Sequence, residues 1–258
     1  MLARRLALLA VLLCAAPSLL VRADDAPIVA AAANLKLPLE ELTQRFRTET
    51  GREVRLVFGS SGNLYRQIEQ GAPFQVFLSA DEESVFRLAA SGRAEDRGVP
   101  YAIGRIVLYA PHGSPLEVDE AMEGLRKALE GGRVRRFAIA NPELAPYGRA
   151  AEEALRRRGL WERIRPKLVF GENVSQATQF ASGGSAEGGI FAYSQALTPQ
   201  VSAGGRYVVL PQALHGPIRQ RMVLVKGAGE TARRFYRYVQ EPTAREVLQR
   251  YGYDLPEQ

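Results

Sequence analysis

The sequence predicts an α/β fold of two lobes with mostly parallel sheets, and two patterns support this prediction. Short apolar runs alternate with amphipathic segments, which is typical of strands joined by crossover helices. Polar strand-to-helix turns recur four times, after Ala33, Phe58, Ala140 and Phe170. Because apolar runs interpreted as crossing strands bracket the middle segment, we expect two lobes whose helix N-termini face each other across a cleft.

The first 23 residues are predicted to be an export signal that takes no part in the fold. Arg4 and Arg5 precede a short apolar core, and Val21-Arg22-Ala23 places small residues before a cleavage site. The single cysteine, Cys14, lies in this segment, and Leu13 before it fits a lipoprotein site poorly. We therefore expect a mature chain without thiols for disulfides, catalysis or metal ligation.

Composition and charge are those of a soluble globular protein. The chain is 46% hydrophobic and 24% charged, and its formal charge is +6. A modest positive charge is compatible with anionic ligands but identifies none. A basic run over 156–167 surrounds Trp161, a pattern that nucleic-acid binding would also produce. In an exported protein we interpret it as a solvated helix face and expect no nucleic-acid partner.

The first lobe is predicted over 24–104 together with 222–258. Leu35, Leu39, Leu42 and Phe46 recur at helical spacing and form one apolar helix face that ends at Gly51. Asp81 is predicted to cap a later helix. Strands are predicted over 28–33, 54–58, 74–78 and 222–225, and further helices over 64–70, 230–240 and 243–251.

The second lobe is predicted over 105–221. The apolar run over 101–110 is interpreted as one strand that leaves the first lobe. Strands are then predicted over 137–140, 167–170, 190–193 and 207–210, and helices over 122–129, 150–158 and 175–181.

The turn from Phe58 to Asn63 reads Phe-Gly-Ser-Ser-Gly-Asn and lies between a predicted strand and a helix. The first turn of a helix has N–H groups without intrahelical partners, and the helix dipole favours negative charge there. Such a turn can bind an anion. The alternative is that Ser60 or Ser61 only caps the helix. The recurrence of polar turns elsewhere in the chain favours a binding role.

The four turns have no Lys or Arg at their tips, so the candidate donors are amides, hydroxyls and backbone N–H groups. A neutral polar socket suits a small, fully ionised anion held by many hydrogen bonds. Since Glu172 is the one carboxylate at a turn tip, a protonated anion such as hydrogen phosphate would find few acceptors. We therefore expect an oxyanion without protons, an inference that Glu172 leaves provisional.

Catalysis is poorly supported by the sequence. His112 and His215 have no metal-like spacing, and both are predicted to be solvated loop residues. Gly59-Ser60-Ser61-Gly62 is not the nucleophile elbow of hydrolases. We expect no enzymatic activity, no cofactor and no side chain that ligates a metal directly. A serine hydrolase that uses Ser60 or Ser61 is a distant alternative.

Several motifs together resemble the periplasmic molybdate-binding proteins of ABC-type uptake systems, in order over essentially the whole mature chain. These motifs are Ala31-Ala32-Ala33-Asn34-Leu35, Phe58-Gly59-Ser60-Ser61-Gly62, Gln67-Ile68-Glu69-Gln70-Gly71-Ala72-Pro73, Phe77-Leu78-Ser79-Ala80-Asp81, Asn141-Pro142-Glu143, Pro146-Tyr147-Gly148, Pro166-Lys167-Leu168, Glu172-Asn173-Val174 and Arg250-Tyr251-Gly252-Tyr253.

The resemblance implies a two-lobed periplasmic binding protein of type II that closes at a hinge over molybdate or tungstate. It implies that Asn34, Ser61, Tyr147 and Val174 bind the oxyanion, Val174 through its backbone N–H. Some members of the family also use a tyrosine after Gly-Ile-aliphatic, but here Ala192 takes that position and Tyr193 follows. Tyr193 would face the other way on a strand, so Tyr147 is expected to supply that hydroxyl.

The resemblance also implies a partner and a compartment. We expect a periplasmic monomer that delivers its ligand to an ABC permease in the inner membrane. A receptor for sulfate, phosphate or another oxyanion on the same fold is the first alternative, because cavity size decides between these anions.

Overall fold

The computed structural model describes residues 26–256, so the predicted export signal over 1–23 lies outside the described residues. The described chain forms ten strands and eleven helices. The strands are β1 (Ile28–Ala32), β2 (Arg55–Gly59), β3 (Phe74–Ser79), β4 (Val99–Gly104), β5 (Ile106–Pro111), β6 (Phe137–Ala140), β7 (Leu168–Gly171), β8 (Gly189–Ala192), β9 (Gly205–Val209) and β10 (Ile218–Leu224). The helices are α1 (Lys36–Thr50), α2 (Ser61–Glu69), α3 (Glu83–Ala90), α4 (Glu123–Glu130), α5 (Pro146–Arg157), α6 (Trp161–Ile164), α7 (Val174–Ser182), α8 (Tyr193–Ala196), α9 (Pro199–Gly204), α10 (Glu230–Tyr238) and α11 (Pro242–Arg250).

Two five-stranded sheets form the centres of two lobes, as predicted. The first lobe has the strand order β2-β1-β3-β10-β4, and the second has β7-β6-β8-β5-β9. Each sheet is mixed, where mostly parallel pairing was expected. The strands β2-β1-β3 and β7-β6-β8 pair in parallel, whereas β10 and β5 run antiparallel to their neighbours. Strands that enter from the other lobe lack the helical crossover that makes neighbouring strands parallel.

The chain crosses between the lobes at two adjacent places. The run predicted as one strand over 101–110 is two strands, since β4 ends at Gly104 in the first sheet and β5 begins at Ile106 in the second. The chain returns through β10, which pairs Ile218 with Gly104. β10 begins at Ile218, ahead of the lobe boundary predicted at 222, so that boundary is too late in the chain.

The core of the first lobe follows the predicted apolar face of α1. Leu39, Leu42 and Phe46 are fully buried, and Gly51 ends the helix in the left-handed conformation with φ of 68°. The Phe46 ring packs edge-on against Phe235, with 5.2 Å between the ring centroids. The C-terminal helices α10 and α11 thereby complete the first lobe.

Three helices begin earlier than the apolar periodicity predicts. α2 begins at Ser61, α5 at Pro146 and α7 at Val174. Their first turns are polar or carry proline, so hydrophobic periodicity does not mark them. Tyr147 consequently lies in the first turn of α5. Tyr193 begins the short helix α8, where a strand was predicted.

Three of the six basic residues around Trp161, namely Arg156, Arg158 and Arg163, pair with acids on the protein surface. Arg156 contacts Glu152 at 2.7 Å and stacks over the Trp161 ring, and Arg158 contacts Glu123 at 2.9 Å. No helix within residues 26–256 has the length and hydropathy needed to cross a bilayer.

His215 is buried, which corrects its prediction as a solvated residue. It lies between β9 and β10, and only 3% of its surface is exposed. Its Nδ1 donates to the Gly216 carbonyl oxygen at 2.7 Å, while Nε2 is buried without a partner. Desolvation by this burial lowers the pKa of His215 below its ordinary value, although the backbone bond and Glu153 oppose the shift. His112 is exposed, as predicted.

We predict that the free energy of unfolding decreases as the pH falls below about 6.5, in part through His215. The folded pKa lies below the unfolded one, so the unfolded chain binds more protons in the acidic range. The contribution is complete above the unfolded pKa and is lost as the pH falls through the folded pKa. Urea unfolding at about pH 8 and about pH 5.5 measures it.

His215→Gln should flatten this pH dependence, and His112→Gln at the exposed histidine is the matched control. An unchanged pH dependence in His215→Gln would contradict the assignment.

Candidate functional site

Among the cavities between the lobes, one is lined by all four residues singled out by the sequence. Asn34 and Ser61 come from the first lobe, and Tyr147 and Val174 from the second. All four are nearly or fully buried, and the empty space among the lining residues is about 180 Å³, part of which is open to solvent. The full lining is Ala32, Ala33, Asn34, Gly59, Ser60, Ser61, Ala80, Ala145, Pro146, Tyr147 and Val174.

The first-lobe wall is built at the carboxyl ends of β1 and β2. The parallel register pairs Ala32 with Gly59, so the turns after both strands open at the same edge of the sheet. Asn34 lies in a short 3₁₀ turn after β1. Ser60 caps α2, its Oγ accepting from the Asn63 N–H at 3.4 Å. The capping role considered for this turn is therefore present, and it uses Ser60 rather than Ser61.

Ser61 has a hydroxyl whose hydrogen is free to point into the cavity. Its Oγ accepts from the Ala80 N–H at 2.9 Å, and Ser61 is fully buried. A hydroxyl has one donor, and accepting a bond leaves that donor available. The turn after β3 thus orients Ser61 as a donor.

Ser61 also has a free backbone donor at the start of α2. In this first turn, the Gly62 N–H donates to the Leu144 carbonyl oxygen at 3.0 Å, and the Asn63 N–H donates to Ser60. Leu64 continues with an intrahelical bond to the Ser60 carbonyl oxygen. Within the described chain, the Ser61 N–H is the donor of this first turn that has no hydrogen-bond partner.

Helix α5 leaves one such donor in the second lobe. Pro146 has no N–H, and the N–H groups of Gly148 and Arg149 both donate to the Ala145 carbonyl oxygen. The Tyr147 N–H therefore remains, in a residue that lines the cavity.

The first two N–H donors of helix α7 have no hydrogen-bond partner within the described chain. Asn173 caps this helix, its Oδ1 accepting from the Gln176 N–H at 3.1 Å and its carbonyl oxygen from the Ala177 N–H. The N–H groups of Val174 and Ser175 precede these bonded groups in the helix and have no hydrogen-bond partner within the described chain. Three helices of nine or more residues thus direct unpaired donors, and the positive ends of their dipoles, at one cavity.

The cavity lining is uncharged. No lining residue of the described chain carries a formal charge. Asp81, next to the lining residue Ala80, pairs with Arg149 and accepts from the Ser84 N–H at 2.9 Å. Glu172 does not line the cavity, and its carboxylate accepts from Asn63 Nδ2 at 2.9 Å. Glu172, the carboxylate that left the expected anion provisional, is therefore hydrogen-bonded to Asn63 at the rim of the cavity.

Contacts between the lobes close the cavity. Besides the Gly62–Leu144, Asn63–Glu172 and Asp81–Arg149 pairs, Ser175 Oγ donates to the Ala33 carbonyl oxygen at 3.1 Å. The approach at Gly62 is tight, since a Cβ there would lie 2.9 Å from the Leu144 oxygen. The structure is thus a closed form of the two lobes, in which Asn34, Ser61, Tyr147 and Val174 are almost entirely buried.

Behind the cavity lies a buried cluster that the sequence analysis missed. Gln220 is fully buried on β10, and its Nε2 lies 3.1 Å from the Tyr147 hydroxyl. Its Oε1 accepts from Asn34 Nδ2 at 2.9 Å, and Asn34 Nδ2 also reaches the Tyr253 hydroxyl at 2.9 Å. The signal was present, because Gln220 falls between Ile218 and Met222 on the inward face of a strand.

The cluster also changes what Tyr147 does. Its hydroxyl, which the resemblance assigned to the ligand, accepts from Gln220 Nε2, and its backbone N–H is a second donor at the cavity. Which of the two reaches the ligand stays a prediction. Burial raises the pKa of Tyr147 and of Tyr101 well above the ordinary value, and it raises the pKa of Tyr253 as well. These phenols therefore stay protonated and can donate.

Other candidates from the sequence lie elsewhere. Tyr193 packs against Tyr207, with 6.0 Å between the ring centroids, and does not line the cavity. Neither His112 nor His215 lines the cavity with Ser60 and Ser61. Within residues 26–256, no three His, Cys, Asp or Glu side chains are grouped so that they could hold a metal ion.

Comparison with known proteins shows similarity over nearly the whole described chain. A family model described as bacterial extracellular solute-binding protein matches residues 28–254. The molybdate-binding protein ModA of Rhodobacter capsulatus is 40% identical over 88% of this chain and 87% of its own length. That of Azotobacter vinelandii is 38% identical over 88% of this chain and 89% of its own length.

A solved structure has the same fold. The periplasmic molybdate-binding protein of Azotobacter vinelandii superposes with a TM-score of 0.81 and 33% sequence identity, covering 90% of this chain and all of that one.

Proposed function

The chain belongs to the family of bacterial extracellular solute-binding proteins, and we propose that it is a receptor that binds molybdate in the cavity between its lobes. One observation supports this ligand above the others. The unpaired N–H groups of three helices converge on an uncharged cavity in a chain that is similar to molybdate-binding proteins. Tungstate has the same charge and shape, so we expect it to bind as well.

The proposed donors come from both lobes. Ser61 donates through its hydroxyl and its N–H, Tyr147 and Val174 donate through their N–H groups, and Asn34 donates through its side-chain amide. A hydrogen bond to a charged group contributes roughly 1.5–3 kcal/mol, so several such bonds offset the cost of association and support tight binding. Each donor is held by its own helix or turn before the anion arrives, which limits the entropy lost on binding.

The absence of an acceptor carboxylate in the cavity lining explains which anions would fit. Molybdate carries no proton at neutral pH and presents only acceptors to the donors. Hydrogen phosphate carries an O–H group that would face further donors, and an unpaired buried polar group costs about 1–3 kcal/mol. Sulfate also lacks protons, so its rejection would depend on cavity size.

The proposal extends to transport. Export through the signal over 1–23 would place the chain in the periplasm as a monomer, and the closed, loaded form would deliver its anion to an ABC permease. No catalytic step and no cofactor are assigned. The alternative of a serine hydrolase loses support, because neither histidine lines the cavity with Ser60 and Ser61.

The deciding experiment is calorimetric titration of residues 24–258 with molybdate and then with sulfate. We expect saturation at one molybdate per chain, in the sub-micromolar range or tighter, and at least about a hundredfold weaker response to sulfate. Sulfate binding without molybdate binding would reject the proposed ligand and retain the oxyanion site.

Ser61→Ala should weaken molybdate binding by about tenfold to a hundredfold, because it removes one hydroxyl bond to the anion. Calorimetry under the same conditions measures the change. Ser182→Ala is the matched control, since the Ser182 hydroxyl bonds the Thr178 carbonyl oxygen within α7 and away from the cavity. Equal affinity in Ser61→Ala and Ser182→Ala would remove Ser61 from the site.

Gly62→Val should speed molybdate release and weaken binding by about tenfold or more, because its side chain meets the Leu144 oxygen when the lobes close. Gly62→Ala should have a smaller effect in the same direction. Neither change should lower the stability of the ligand-free protein through α2 propensity, since glycine is the poorer helix former. Stopped-flow dissociation kinetics measure the release, and a wild-type rate in Gly62→Val would show that this contact does not limit closure.

A further inference from the structure

The Asn34 side chain has a buried oxygen that lacks a partner, and this defect points to its neighbour Gln220. Asn34 is only 1% exposed and lines the cavity, and its Oδ1 makes no hydrogen bond within the described chain. An oxygen facing an anion would repel it. If Asn34 is to serve the proposed function, its Nδ2 has to face the cavity.

Turning the amides of Asn34 and Gln220 by half a turn exchanges oxygen and nitrogen and leaves the heavy-atom positions unchanged. Asn34 Oδ1 then takes the position 2.9 Å from both Gln220 Nε2 and the Tyr253 hydroxyl. Gln220 Nε2 then donates to Oδ1. The single Tyr253 hydrogen can go either to Oδ1 or to the Asn34 backbone carbonyl oxygen, which lies 2.8 Å away and also accepts from Ser194. Nδ2 becomes free to donate to the anion.

The turned arrangement also completes the bonds of Tyr147. Gln220 Oε1 takes the position 3.1 Å from the Tyr147 hydroxyl, which gains an acceptor for its hydrogen. Tyr101 keeps an acceptor of its own, because its hydroxyl lies 2.9 Å from the Ser79 carbonyl oxygen. With an anion bound at Nδ2, both amides and the hydroxyls of Tyr147 and Tyr101 have partners, whereas the opposite arrangement leaves Asn34 Oδ1 unpaired.

We propose that Gln220 is a positioning residue that holds the Asn34 amide in the donating orientation and links it to Tyr147 in the other lobe. The bonds run in one direction, from the Tyr147 hydroxyl to Gln220 Oε1, from Gln220 Nε2 to Asn34 Oδ1, and from Asn34 Nδ2 to the anion. Gln220 itself does not line the cavity.

The geometry of the lobe crossing supports this link. Tyr147 enters the first lobe beside Gly104, the last residue of β4, where a Cβ would lie 2.2 Å from the phenol oxygen. Gln220 lies on β10 at a register shift opposite β4. The phenol thus reaches from the second lobe to a residue of the first, and we expect closure of the lobes and the orientation of the Asn34 donor to depend on each other.

This inference rests on the proposed function, and it predicts that removal of the Gln220 amide changes which anion the protein prefers. In Gln220→Met the Asn34 amide is free to turn, so Oδ1 can accept from the O–H of hydrogen phosphate. We expect molybdate to bind about tenfold more weakly, and the ratio of molybdate to phosphate affinity to fall by at least about tenfold. Calorimetry with the two anions measures both. Gln75→Met is the matched control, because Gln75 bonds the Gly229 N–H in the first lobe away from the cavity.

A second variant, Tyr147→Phe, tests whether Gln220 positions the Asn34 amide through Tyr147 or only stabilises the fold. Tyr147→Phe should weaken molybdate binding less than Gln220→Met, and the double variant should bind no more weakly than Gln220→Met alone. Tyr109→Phe, which removes a buried, unpaired hydroxyl from the core of the second lobe, is the control.

The outcomes are distinct. A lower melting temperature in Gln220→Met with wild-type affinity and anion ratio would overturn the proposal and leave Gln220 a structural residue. Additive losses in the double variant would overturn the link to Tyr147. If the wild type bound sulfate and not molybdate, the proposed ligand would be wrong, and the same comparison of sulfate with phosphate would still test Gln220.

Discussion

Backbone donors at the N-termini of α2, α5 and α7 are the constraint on which the molecule depends. The first turn of a helix leaves N–H groups without intrahelical partners, and Ser61, Tyr147 and Val174, which carry such groups, are almost fully buried between the lobes. Leaving a buried donor unpaired costs about 1–3 kcal/mol. A closed cavity with several such donors is therefore stable when it holds an acceptor, and a compact anion supplies many acceptors in a small volume.

This constraint explains why the lobes divide the site between them and why the site is neutral. The first lobe contributes Asn34 and Ser61, and the second contributes Tyr147 and Val174. Charges stay at the rim, where Asp81 pairs with Arg149 and Glu172 accepts from Asn63. A lysine or arginine in the cavity would attract anions of any kind, whereas oriented donors distinguish an anion without protons from one that carries them.

The buried cluster around Gln220, behind the cavity, connects the cavity residues to the two places where the chain crosses between the lobes. The two crossings lie side by side, and Gln220 on β10 contacts residues from both lobes. A side-chain amide can present either a donor or an acceptor, so the neighbours of Asn34 decide which one faces the ligand. We infer that the closing motion and the polarity of the site are coupled through these buried side chains.

The sequence by itself determined the α/β class, the two lobes, the positions of the turns and the four residues that meet at the cavity. The class, the lobes and the turns depend on local periodicity and on residue types within a few positions, which a linear pattern records, whereas the resemblance to molybdate-binding proteins implied the four residues. Their role in binding an anion stays a prediction. Only the tertiary structure decided the mixed pairing of the sheets, the division of 101–110 into two strands and the burial of His215. It alone brought Gln220 to Asn34, which lies 186 positions earlier in the chain, because partners this distant are set by how the sheets pack.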